Sequence, residues 1–245
     1  MHWTNSSTKK RWILFLVIVG VIILSLVMQG INKPSPSSRV RAETKIKLPA
    51  PLYDSTTSLE KALKQRRSIR QYKEDAITLQ QVSQLLWAAQ GITSPEGFRT
   101  APSAGALYPL EIYLVSGNVR DLPTGVYHYL PAENALQLMV KGDKRTALTA
   151  AALQQNSIKF APVNIVMTAM YARTTKKYGN RGKQYVHMEI GHAAQNVCLQ
   201  ATSLGLGTVI IGALDEPAFR AILALPKEET PLYIMPVGKI GDIEW

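Results

Sequence analysis

QYVHMEIGHAAQNVCLQATSLGLGTVIIG, residues 184–212, is the stretch that decides the fold. Val186, Ile190, Ala193, Val197, Ala201 and Leu204 recur at intervals of three and four. That spacing lines apolar side chains along one face of an α-helix and predicts a helix over 184–204, the longest in the chain. Gly205 and Gly207 end it, and the β-branched run after them predicts a short strand over 208–211. Working toward the N terminus, residues 163–171 are apolar or small on both faces and predict a central strand. Asp143 caps a helix running to Leu153. Leu110–Ser116, 126–130 and 135–140 predict three more strands, the last two joined around 131–134. Two capping boxes start helices earlier still: Thr57 with Glu60, and Thr78 with Gln81. After the second, Leu79, Val82, Leu85, Leu86 and Ala89 keep helical spacing up to Gly91. Toward the C terminus, Asp215 and Pro217 start another helix, and residues 232–237 predict a final strand. Hairpin strands in the middle with helices before and after them read as α+β, with a mixed sheet flanked by helices.

Composition narrows the chemistry. Across 245 residues, 46% are hydrophobic and 18% charged, enough apolar mass for a packed core and too little charge for a disordered chain. The single cysteine, Cys198, excludes an internal disulfide and cysteine-rich metal sites; with four histidines, no metal centre is expected. The net charge of +11 is uneven, because residues 1–47 hold eight bases against Glu43 alone. The excess therefore belongs to an N-terminal arm, and no nucleic-acid-binding face is expected.

That arm contains WILFLVIVGVIILSLVM, residues 12–28, with no charge. It would span about 25 Å as a helix, close to a bilayer core. It reads as a single transmembrane anchor after a basic N-terminus, 1–11. A proline-, serine- and base-rich linker, 29–51, then leads to a domain at 52–245. The expected location is therefore the membrane, and the basic N-terminus leans the domain to the extracytoplasmic side.

Several clusters have the residue types for ligand chemistry. Arg66, Arg67, Ser68 and Arg70 combine forked guanidiniums with a hydroxyl, a set that binds phosphate bidentately. The alternative is a solvated basic helix end complementing the dipole. RTAPSAGALYP, residues 99–109, brings small residues and backbone N–H groups where a planar ligand could lie close. GLGTVIIG, 205–212, lacks the dinucleotide-binding spacing and follows a helix, which argues against a Rossmann site. Glu189, His192 and Asn196 share one helix face and read as a buried polar network at a helix or subunit contact. Lys177 and Tyr178 could form an acid–base couple if their surroundings perturb them.

Taken together, RRSIR, RTAPSAGALYPLEIYLV, the stretch from KKYGN to GALD, and PVGKIGD occur in order between about Leu59 and Asp242. In this the chain resembles the SagB/ThcOx-type branch of the FMN-dependent nitroreductases. The resemblance implies an α+β sandwich that forms a homodimer with FMN in the interface. It implies that Arg66, Arg67, Ser68 and Arg70 hold the FMN phosphate and ribityl chain and reach the pyrimidine edge. Ser103 and Gly105 would lie along the isoalloxazine from the partner subunit, Ile211 and Gly212 near N5, and Lys239 by the phosphate. Lys177 and Tyr178 would be the catalytic pair. The expected function is a membrane-anchored FMN oxidoreductase passing a hydride from NAD(P)H to a nitroaromatic, quinone or similar small-molecule acceptor. The alternatives are oxidation of azolines to azoles in a peptide substrate, and a non-catalytic flavin-binding or interaction protein.

Overall fold

Helices cover both faces of a seven-stranded sheet. In chain order the computed structural model, which describes residues 45–241, runs β1 (Lys45–Lys47), α1 (Leu59–Gln65), α2 (Leu79–Gln90), β2 (Leu110–Ser116), β3 (Gly125–Leu130), β4 (Ala135–Lys141), α3 (Arg145–Ala151), α4 (Asn156–Phe160), β5 (Val163–Ala169), α5 (Tyr171–Tyr178), α6 (Arg181–Ser203), β6 (Leu206–Thr208), α7 (Glu216–Leu223) and β7 (Thr230–Lys239). The strand order is β1-β4-β3-β2-β5-β7-β6. Every ladder is antiparallel. The parallel component of the expected mixed sheet is confined to single bridges, Ser68 with Thr208 and Ile77 with Val119.

Alternation along the strands divides the core in two. Leu110, Ile112 and Leu114 of β2 meet Leu85 of α2 and the stripe Val186, Ile190, Ala193 and Val197 of α6. Tyr113 and Val115 of the same strand face Leu148, Ile158, Phe219 and Leu223 of α3, α4 and α7. β5, buried at every position, is central as its sequence predicts. β2 matches its expected bounds, the Thr78–Gln81 capping box forms on both sides, and Asp215 accepts from the Ala218 N–H.

Other boundaries move for identifiable reasons. α1 is capped by Ser58, which accepts from the Lys61 N–H, and not by Thr57. With Ser58 at the cap, the third helical residue is Lys61, so no reciprocal box can close. Asp143 does accept the Arg145 N–H, but α3 stops at Ala151. α6 begins at Arg181, upstream of the expected start. The strand expected over 208–211 is β6, Leu206–Thr208, because it pairs with Val237–Lys239; Ile211 forms only a bridge to Ile234. Part of the stretch read as a linker belongs to the fold: β1 pairs with β4, Leu48 is buried, and the Pro49 carbonyl accepts from Ser83.

The expected membrane location is corrected. Among the described residues no helix is long and apolar enough to cross a membrane. The longest, α6, carries Arg181, Lys183 and Glu189 beside its apolar stripe, the pattern of a helix that covers a sheet. The run at 12–28 lies outside the described residues, as do 1–11 and most of the linker.

Gly207 shows how closely the Arg66–Arg70 segment lies on β6. A Cβ there would come within 2.6 Å of the Ile69 side chain. Gly207→Ala is expected to cost about 1–3 kcal/mol through overpacking, read as a lowered denaturant midpoint. Unchanged stability would mean that Ile69 is not seated on this glycine.

Candidate functional site

α6 presents a second line of side chains beside its apolar stripe. Tyr185, Glu189 and Asn196 follow helical spacing and hold what packs outside the sheet. Asn196 Nδ2 donates to the Thr100 carbonyl at 3.3 Å. Ser103 Oγ donates to Glu189 Oε2 at 2.5 Å. The Tyr185 ring meets Tyr178 edge to face, with centroids 5.1 Å apart. His192, read with this group, is exposed. The polar network expected on this face therefore consists of Glu189 and Asn196, and its partner is the loop at 99–109.

The loop is internally braced. Tyr108 N–H donates to Ser103 Oγ at 2.9 Å, and Arg99 N–H to the Tyr108 hydroxyl at 3.2 Å. The Arg99 guanidinium stands 4.6 Å from the centre of the Tyr108 ring and donates to Gln90 Oε1 on α2. Gly105, at φ +64°, sits in the left-handed region, and a Cβ there would lie 2.7 Å from the Tyr178 hydroxyl and 3.0 Å from Lys177 Nζ. The chain thus brings Ser103, Gly105, Lys177 and Tyr178 into one cluster. Lys177 is exposed and Tyr178 half-buried, at the C-terminal end of a helix and not in a loop.

A second brace was not legible as a site. Arg173 Nη1 donates to the Tyr108 carbonyl at 2.9 Å and pairs with Glu111 of β2. Glu111 also meets His128 Nε2 at 2.8 Å. The His128 ring stacks on Tyr113, whose hydroxyl joins that of Thr168 on the buried Glu229. Burial pushes the Glu111 carboxyl up, but the His128 hydrogen bond and the Arg173 charge outweigh it and leave it below its ordinary value. Glu189 goes the other way: burial dominates over Ser103 and Arg99 and raises it to about 7. The signal that could have found Glu111 is its place as the one charge in LEIYLVS.

The basic cluster lies toward the opposite end of α6. Residues 66–70 run beside β6, where Ile69 N–H donates to the Thr208 carbonyl. Arg67 turns back to donate to the Lys64 and Arg66 carbonyls, closing the end of α1. The side chains of Arg66, Ser68 and Arg70, which alternate along this extended run, make no hydrogen bond or ion pair among the described residues. A cleft of about 590 Å³ beside them is lined by Arg67, Ile69, Cys198, Thr202 and Thr208. The Thr208 hydroxyl is buried there without a partner. Burial pushes the Cys198 thiol up to about 11, against the Arg66 charge, so it is no nucleophile. Lys239 pairs with Asp75 at 3.2 Å, Ile211 is buried and Gly212 exposed. From Glu189 to Cys198 and Thr202 is about 13–20 Å along the helix axis. The two clusters therefore pack against different stretches of α6. A larger cavity of about 640 Å³, between residues 52–59, α2 and α6, reaches the sequence-predicted clusters only at Thr100 and Asn196 and is lined by none of residues 66–70.

Comparison with known proteins follows this geometry. The family model described as the nitroreductase family matches residues 63–239. A candidate nitroreductase of Methanocaldococcus jannaschii is 48% identical over 181 residues, covering 74% of this chain and 90% of that protein. The microcin B17-processing protein McbC of Escherichia coli is 27% identical over 69% of this chain and 65% of its own length. Among solved structures, a candidate nitroreductase of Ralstonia eutropha superposes with a TM-score of 0.73 at 29% identity, covering 82% of this chain and 91% of that one.

Glu111 offers a test of the outer brace. Its lowered pKa means that its contribution to stability is present above the ordinary value of 4.5 and is lost as pH falls through the lower folded value. Arg173 is more than a third exposed, so screening limits the effect. Glu111→Gln is expected to cost about 0.5–1 kcal/mol at neutral pH, measured by denaturant unfolding, with the gap closing in acid. A gap that persists or widens in acid would contradict the assignment.

Proposed function

The chain belongs to the nitroreductase family, and from that premise we propose that it is an FMN-dependent oxidoreductase working as a homodimer. The observation that carries this reading is the uncommitted set Arg66, Ser68 and Arg70 on alternate positions of an extended run. Those groups fit a flavin mononucleotide: guanidinium forks and a hydroxyl for its phosphate, and a further positive charge for its pyrimidine edge. The orphaned Thr208 hydroxyl beside them is the kind of buried polar atom a ligand would satisfy.

FMN, when bound, supplies two-electron chemistry through a hydride at N5. Arg66 and Ser68 would bind the phosphate end, and Lys239, paired with Asp75 in the free chain, would add charge there. Arg70 would set a positive charge at the pyrimidine edge, favouring the reduced anion. Ser103 and Gly105 of the other protomer would present a small-residue surface to the ring, with Ile211 and Gly212 near N5. Lys177 and Tyr178, held beside Gly105, hold or deliver a proton where the acceptor sits. NAD(P)H is the proposed donor, and a nitroaromatic, a quinone or a similar planar compound the acceptor.

A second reading is favoured by one contact. Lys177 and Tyr178 meet at Gly105, and a relative, McbC, processes microcin B17. The same site would then oxidise azolines to azoles in a peptide, with partner proteins forming the heterocycle.

Arg70→Ala should weaken FMN binding about ten- to hundredfold, the worth of a charge-assisted hydrogen bond, measured by flavin fluorescence on titration. Unchanged affinity in both Arg66→Ala and Arg70→Ala would remove the assignment of this basic run to the flavin. Tyr178→Phe should retain flavin. A fall in azoline turnover with NAD(P)H oxidation intact would favour the second reading, and the converse the first.

A further inference from the structure

Glu189 is unusual among the charged groups of α6. It is 2% exposed, whereas Arg181 and Lys183 stand in solvent. Its only hydrogen bond among the described residues is from Ser103, and Oε1 is buried without a partner. The carboxyl thus sits in the interior without an ion pair, at a cost that the fold would avoid with glutamine or an apolar side chain.

Ser103 links this carboxyl to the site. Its oxygen also accepts the Tyr108 N–H, so one hydroxyl joins α6 to both ends of the turn containing Gly105. That turn has Gly105, Ala106 and Tyr108 at positive φ, a backbone path that needs holding. On its far side stand the Tyr178 hydroxyl and Lys177 ammonium. A shift in the turn therefore moves the surface against which this pair is set.

We propose that Glu189 is a positioning residue of the redox site, which holds Ser103 and so fixes the Gly105 turn against Lys177 and Tyr178. The inference rests on the flavin-site reading for its catalytic meaning and on the chain's own geometry for the clamp. Ionisation matters because burial outweighs the bond from Ser103, so the carboxylate is better accommodated in water than under the loop. The carboxyl ionises at about 7, raised by burial against the pull of Ser103 and Arg99. Arg99 is the charged group facing it from the loop. α2 carries no charge, and the charged groups of α1, Glu60, Lys61 and Lys64, are exposed. On α5, Lys177 and Tyr178 stand at Gly105, and Arg173 is engaged with Glu111 and Tyr108. On α6 itself, His187 and His192 are exposed. The loop that buries this carboxyl should therefore loosen as pH rises through neutrality.

The test is amide hydrogen exchange of residues 100–108 in the full chain, corrected for the intrinsic pH dependence of exchange. Protection should fall about tenfold between roughly pH 6 and pH 8, the linkage between a carboxyl held at about 7 under the loop and one of ordinary value outside it. It should stay flat in Glu189→Gln, which keeps an acceptor for Ser103 but cannot ionise, and should start lower but keep its fall in Ser103→Ala. A flat wild-type profile, or a fall that survives in Glu189→Gln, overturns the proposal. If the variants do not fold, carbon-13 titration of the Glu189 carboxyl in the wild type replaces them. The Tyr108 amide shift must then follow the same midpoint, and independence of the two overturns the proposal equally. Neither readout depends on flavin or turnover, so failure of the flavin reading would be seen separately as a chain that takes up no FMN.

Discussion

α6 has to satisfy two neighbours at once, and the rest of the molecule is arranged around that requirement. One face must be apolar to close the sheet, and Val186, Ile190, Ala193, Val197 and Ala201 are buried there. The next face must be polar to hold a loop whose backbone is not in regular structure and whose N–H and carbonyl groups need partners. Glu189 and Asn196 supply that hold through Ser103 and Thr100. The two requirements are compatible only because helical spacing keeps the stripes apart.

Much of this was legible from residues alone, and the failures have physical causes. The α6 stripe, the bounds of β2 and the Thr78 and Asp215 caps depend on local periodicity or on hydrogen bonds within four residues. Those signals are written in the segment itself. β6 is different: its register is set by β7 and by Ile69 lying on Gly207, so the β-branched run after it was taken for the strand. β1 is three residues with exposed lysines at both ends, too short and too polar to stand out from a linker. The membrane expectation drew on the N-terminal arm, and the described helices carry no such span.

The candidate residues separate in the same way. Each cluster was visible as a composition of side chains, but its partners were not. The contact of Gly105 with Lys177 and Tyr178 joins segments far apart in the chain, and only the fold determines it. The brace from Tyr108 through Arg173 to Glu111 and His128 likewise crosses from a loop to a helix to two strands. Both braces end in carboxylates whose environments push their pKa values in opposite directions, Glu111 down and Glu189 up. The loop between them is positioned by electrostatics from two sides.

On the proposed reading a complete flavin site needs two chains, the basic run from one and the Gly105 loop from the other. Along α6 the two clusters pack about 13–20 Å apart, and a two-fold dimer would let each chain supply what the other lacks. Complementation tests this most directly: co-express Arg70→Ala chains with Gly105→Val chains and measure flavin bound by the mixed dimers. Random pairing should restore about a quarter of the wild-type sites, since half the dimers are mixed and each has one intact site. No recovery above the two separate variants, in dimers shown to have mixed, would contradict the claim and place both halves of the site on one chain.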